Sequence, residues 1–329
     1  MLERLRTTLH PAWYQGAHEP VPYFEGWYFK LVDATEAHRY AVIAAVFKTE
    51  AEDTPHAFVQ VNDNVRGKMT YVRYPPDAFR AARDRFAVRV GPNFFSERAL
   101  RLHLHTDDLR LQGALRFHEL KPWPATPAAP GAMGWYAWVP RMECYLGVVS
   151  LDHAIEGVLE IDGKLVAFTG GRGYSEKTWG QSFPSAWIWL QSNHFETPET
   201  SLFGAISMIP WIGRTFRGFV AGLLHRGTLY RFATYTGAET ERLAVTPERI
   251  AWVLRDRLYR LEIVADRGRT IDLRGPSKVD MGVRVPEALD ASVDMRLTAR
   301  RSDCVIFEGH GRNAGLEVAG DLETLLRET

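Results

Sequence analysis

From Ala186 to Phe195 the chain reads Ala-Trp-Ile-Trp-Leu-Gln-Ser-Asn-His-Phe. Read as a strand, it alternates with a period of two. Trp187, Trp189, Gln191, Asn193 and Phe195 fall on one face, and Ala186, Ile188, Leu190, Ser192 and His194 on the other. Neither face is fully polar, so a chain holding this strand must cover it on both sides. Apolar walls carrying a few placed amides suit a ligand cavity. They also suit a β core whose amides bond to neighbouring backbone. Gly170, Gly171 and Gly173 lie just upstream and permit backbone that a β-carbon would forbid. They lack the dinucleotide and phosphate-loop spacings, and no helical pattern follows, so a nucleotide fold is not expected.

The rest of the chain repeats the strand pattern. Runs at 39–48, 57–62, 68–74, 85–90, 100–105 and 109–118 are rich in Thr, Val, Tyr and Phe and are separated by Gly, Pro, Asn and Asp. Asp107-Asp108 and Asp162-Gly163 read as tight turns. Strands are expected at 142–151, 154–161 and 164–169, and again between 201 and 310, with a short helix at 321–327. The first residues, to about Val21, read as an irregular arm. Residues 121–140 combine five prolines with Trp123, Trp135, Tyr136 and Trp138, which suits a loop over a cavity mouth or one packed outside the sheet. The aromatic strand and its small-residue successor (186–193, 201–209) echo 26–30 and 39–45. The expectation is therefore an all-β protein of two antiparallel modules, 1–182 and 183–329, with the boundary near Ser182.

Composition narrows the function classes. Forty basic and forty acidic side chains give a formal net charge of zero, so no nucleic-acid partner is expected. Cys144 and Cys304 are too few for a disulfide framework or a cysteine-rich zinc site. His103 and His105 share a strand face but have no evident third ligand, so no metal is expected. The N-terminus has no apolar signal core and no run spans a bilayer, which reads as a soluble, cytoplasmic protein with peripheral membrane contact left open.

Two acids stand among aromatic residues. Glu25 shares a strand face with Tyr23, Trp27 and Phe29, and Glu176 follows Tyr174 in the glycine-rich stretch. Each is a candidate proton donor if burial raises its pKa. Each could equally be structural, Glu25 through a buried cation or amide and Glu176 through Arg172 or another cation. Glu176 and Lys177 are adjacent, so a strand points them apart.

Three stretches carry a resemblance. Residues 23–30 (Tyr-Phe-Glu-Gly-Trp-Tyr-Phe-Lys), 173–180 (Gly-Tyr-Ser-Glu-Lys-Thr-Trp-Gly) and 187–195 resemble the tocopherol cyclase family in order and spacing, and 314–320 also looks similar. The wider group is similar in fold to carotenoid 1,2-hydratases and some fungal pericyclases. The resemblance implies two lipocalin-like β-barrel or sandwich modules packed together, with a hydrophobic site and neither metal nor organic cofactor. It implies Glu176 and Glu25 as catalytic candidates, with Trp27, Tyr174, Trp179, Trp187, Trp189, Gln191 and Asn193 binding a lipophilic substrate. Cyclisation of a prenylated hydroquinone is the implied activity. Hydration of an alkene and non-catalytic carriage of a hydrophobic ligand stay open beside it.

Overall fold

The alternating runs form strands, and the strands form two antiparallel sheets. The computed structural model describes residues 2–51, 54–140, 142–211 and 214–327. The first sheet begins with β1 (Tyr23–Val32), β2 (Arg39–Lys48), β3 (His56–Asp63) and β4 (Lys68–Tyr74). It continues with β5 (Phe79–Ala81), β6 (Ala87–Val90), β7 (Asn93–Ser96), β8 (Ala99–His105) and β9 (Arg110–His118). β10 (Cys144–Ile161), β11 (Lys164–Ala167) and β12 (Gly171–Gly180) complete it. The strand order is β4-β3-β2-β1-β12-β10-β9-β8-β7-β6-β5, with β11 beside β10.

The second sheet holds β13 (Ala186–Ser192), β14 (His194–Phe195), β15 (Thr200–Trp211), β16 (Arg214–His225) and β17 (Thr228–Ala233). After these come β18 (Glu239–Val245), β19 (Arg249–Arg255), β20 (Tyr259–Asp266), β21 (Ile271–Gly275), β22 (Val283–Ala299) and β23 (Cys304–Gly320). Its main path runs β17-β16-β15-β13-β23-β22-β20-β19-β18. Neither path closes on itself, so the two antiparallel sheets are open and are not closed barrels.

The chain divides into two compact units, Met1–Phe183 with Asp272–Arg284, and Pro184–Ile271 with Val285–Thr329. In the first unit the sheet curls over its own core. Trp27 and Phe29 of β1 stack on Phe86, and Phe29 also meets Phe95 and Phe117. Those partners lie on or beside strands far along the path from β1, so one continuous sheet supplies both walls. In the second unit, Ile188 and Leu190 of β13 join Trp252 of β19 and Leu297 of β22 in one apolar core.

Local chemistry explains several details. Asp162 and Gly163 both have positive φ, 50° and 81°, which a two-residue turn between β10 and β11 requires. The runs expected at 142–151 and 154–161 are a single strand, β10, with register shifts between Val148 and Ser150 and between Ser150 and His153. Such irregularities bend a strand without ending it. The expected irregular arm instead opens with a helix, α1 (Leu2–Leu9), before it becomes irregular. α2 (Leu322–Leu326) ends the described chain, with the Asp321 side chain accepting from the Thr324 amide. Gly171 and Gly173 serve close approach: a β-carbon would meet the Val32 carbonyl at the first and His153 Nε2 at the second.

Candidate functional site

Register decides which candidate residues meet. β1 and β12 lie side by side, pairing Glu25 with Trp179, Trp27 with Lys177, Tyr28 with Glu176 and Lys30 with Tyr174. Directly opposed residues share a face. Glu25, Trp27, Lys177 and Trp179 therefore occupy one face, and Tyr28, Lys30, Tyr174 and Glu176 the other. The sheet itself separates the two sequence-predicted acids.

On the first face Glu25 is buried and saturated. Lys177 Nζ donates to its Oε1 at 2.7 Å and Tyr23 OH to its Oε2 at 2.5 Å. The Gln15 amide donates to both oxygens and the Gly16 amide to Oε2, each at 3.0 Å. Both oxygens act as acceptors in all of these contacts, an arrangement compatible with the structural alternative that the sequence left open. Burial pushes the Tyr23 hydroxyl well up, with the neighbouring Glu25 charge adding to the effect.

Lys177 also donates to the Trp13 carbonyl. Its ammonium sits 4.3 Å from the Trp179 ring centroid and 5.3 Å from that of Trp27. Burial pulls Lys177 down to about 8, against the opposing pull of Glu25. Trp27 and Trp179, two of the expected substrate-binding residues, thus flank a lysine ammonium. Trp27 Nε1 donates to the Ala12 carbonyl and Lys48 Nζ to the Gly16 carbonyl, so residues 12–16 are strapped across this face.

The second face is buried and polar. Glu176 is 7% exposed, and Tyr174 OH donates to its Oε2 at 2.5 Å. The Tyr28 and Tyr174 rings lie 6.4 Å apart, edge to face. Lys30, Gln60 and Asn62 are buried here too, Gln60 accepting from the Arg274 amide at 2.9 Å. Arg172 does not neutralise Glu176: it pairs with Asp152, Nη2 to Oδ2 at 2.5 Å and Nε to Oδ1 at 3.0 Å. A carboxyl beside a phenol, walled by a second tyrosine, can pass a proton to a bound molecule and take one back.

In the second unit Trp187, Trp189 and Gln191 share one face of β13, opposite the Ile188 and Leu190 core face. Asn193 does not continue that row. The strand breaks there, opposite a stretch of β23 where Asn313 has φ 48°. Asn193 Oδ1 instead lies 2.9 Å from His194 Nδ1. Beyond the break Phe195 joins the core with Phe307, so the alternation expected through Phe195 ends at Asn193.

Sequence reasoning missed two carboxylates on the Trp187 face. Glu317 accepts from Trp187 Nε1 at 2.7 Å and is paired in register with Trp189 and with the buried Glu287. Period-two reading of β22 and β23 would have found them. It also missed His153, buried against Phe117 with a ring separation of 4.5 Å. Neither nitrogen of His153 has a hydrogen-bond partner among the described residues, and burial lowers it to about 3. His103 and His105 are exposed on β8, and the described residues contain no cluster of three metal-ligating side chains.

Together these features define an all-β protein of two open antiparallel sheets whose polar faces carry buried acids among aromatic rings. More narrowly, the chain belongs to the tocopherol cyclase-like family, whose model matches residues 114–320. That span includes Tyr174, Glu176, Trp187, Trp189 and Gln191, and leaves out Glu25 and Trp27. A probable chloroplastic tocopherol cyclase of Oryza sativa subsp. japonica is 28% identical over 199 residues, covering 57% of this chain and 42% of that protein. A chloroplastic tocopherol cyclase of Zea mays is 32% identical over 108 residues, covering 32% and 23%. The chain thus spans less than half the length of these curated relatives. Among solved structures, CghA with Sch210972 superposes with a TM-score of 0.56 at 10% identity, covering 91% of this chain and 89% of that one. A putative AttH from Nitrosomonas europaea gives 0.50 at 14% identity, covering 90% and 92%. These structural likenesses are of fold.

Proposed function

We propose that this chain is a cofactor-independent cyclase acting on a prenylated hydroquinone or a similar lipophilic alkene, with Glu176 as the acid. The observation that carries the reading is the Tyr174–Glu176 hydrogen bond on a buried face flanked by Tyr28. Glu176, in its protonated form, gives its proton to the less substituted alkene carbon. The phenol oxygen then attacks the tertiary cation and forms the new C–O bond. The phenolic proton returns to Glu176, so the product is an isomer of the substrate and the acid is regenerated. Tyr174 orients the carboxyl. Glu25, saturated by Lys177, Tyr23 and two amides, is assigned a structural role.

Single-turnover conversion of a prenylated hydroquinone tests this, with product mass as the readout. Glu176→Gln should lower turnover by roughly two orders of magnitude or more, a typical general-acid effect, while ligand affinity changes little. A product heavier by one water would replace cyclisation with hydration. Tight binding without conversion across a panel of quinols and polyenes would make the chain a carrier. Full turnover by a folded Glu176→Gln variant would remove Glu176 as the acid.

A further inference from the structure

The segment between Lys121 and Arg141 contains no charged residue and carries Trp123, Trp135, Tyr136 and Trp138. Trp123 and residues 130–132 are buried, but the rest is not all covered. Residues 124–128 are exposed, and Trp135 is 50% exposed although it belongs to a turn of 3-10 helix, Gly131–Trp138. Trp138 Nε1 donates to the Pro127 carbonyl at 2.9 Å, which ties the two halves of the segment together. Trp135 and Tyr136 pack edge to face at 4.3 Å, so the exposed indole is held in place.

α1 lies beside this 3-10 turn. Its Leu5 is 44% exposed, and Arg4 and Arg6 are exposed around it. Glu3 is the only acid in the helix. Arg6 also stacks over Trp13 at 5.0 Å, which positions its guanidinium. An exposed apolar helix side chain, an exposed indole packed on Tyr136, an uncharged tip and two arginines thus occupy one region of the first unit.

We propose that α1 and residues 122–140 form a docking surface for an anionic lipid bilayer. Trp135 and Leu5 enter the headgroup boundary, where tryptophan is favoured, and Arg4 and Arg6 meet lipid phosphates. A bilayer suits both halves of the surface at once. Its interface accepts uncharged backbone turns and indoles, and its anionic headgroups complement the arginines. No described helix is long and apolar enough to cross a membrane, so the contact is peripheral at this surface. The inference does not depend on Glu176 being the acid, because its test measures binding and not turnover.

The full chain is mixed with vesicles of phosphatidylcholine alone, or of phosphatidylcholine with phosphatidylglycerol, and bound protein is measured by sedimentation. Binding should favour the anionic vesicles and weaken with added salt. Arg4→Gln and Arg6→Gln should each weaken it about fivefold, and Trp135→Ser about tenfold. All three positions are exposed, and unchanged circular dichroism checks that the variants fold. Equal binding by Trp135→Ser and wild type, or no vesicle binding by wild type, overturns the proposal. So does concentration-dependent self-association that Trp135→Ser abolishes in the absence of lipid, since the occupant would then be a second copy of this chain.

Discussion

A fully buried ammonium and carboxylate tolerate each other only as a pair, and Lys177 and Glu25 show the cost of separating them. Removing one partner leaves the other charge stranded, an effect of about 3–5 kcal/mol. Glu25→Gln and Lys177→Met should each shift the denaturant midpoint downward by a corresponding amount. The double variant should lose less than the two single losses added together, and additive losses would show that the pair is not coupled. His153 gives a second residue-scale expectation. In the unfolded chain it titrates near 6.5, and in the fold near 3. Between those values the unfolded state binds more protons, so stability from this group falls as pH drops from 6.5 toward 3. Unfolding measured across that window should show a flatter acid limb for His153→Phe than for wild type. Alternation in the sequence placed Glu25 among aromatic rings. It could not name Lys177 as the partner, because the two lie 152 positions apart and meet only through the β1–β12 register.

Strands that alternate cleanly were legible, and those whose partner strand distorts were not. β13 followed its period of two as far as Ser192, because each residue there faces a regular neighbour on β15 or β23. It failed at Asn193, where the irregularity belongs to Asn313 on β23 and leaves no mark on the sequence of β13 itself. The two runs in β10 were read as two strands because a register shift resembles a turn in one dimension. α1 was missed because eight residues give too few turns for a helical period to stand out. Of the candidate site, residue types and strand faces were legible. The split of Glu25 and Glu176 onto opposite faces of one sheet became visible only with cross-strand pairing. The same level yields a test of the glycine stretch. Gly173→Ala drives a methyl group into His153 Nε2, and it should cost about 1–3 kcal/mol in thermal or denaturant unfolding. His153→Ala should relieve part of that cost in the double variant; strictly additive losses would mean that close approach is not what Gly173 provides.

At the scale of the whole chain, far-ultraviolet circular dichroism should report mainly β structure, as the strand-dominated element order requires. The first unit is discontinuous, since residues 272–284 belong to it although they follow most of the second. Met281 from that stretch packs with Phe24, Phe47 and Phe58, and Arg274 lies over the Tyr71 ring at 4.9 Å. During synthesis these aromatic groups emerge early and their cover emerges late. The delay corresponds to on the order of ten seconds of ribosome time. Throughout that interval Phe24, Phe47 and Phe58 lack the packing that Met281 gives them in the fold. A polypeptide ending at residue 182 would carry the same wound permanently. It should bind a hydrophobic dye and precipitate on warming, and supplying residues 272–284 as a separate peptide should reduce both. In evolutionary terms the two units cannot be traded between genes by a single cut, because the thread that finishes the first is spun inside the second.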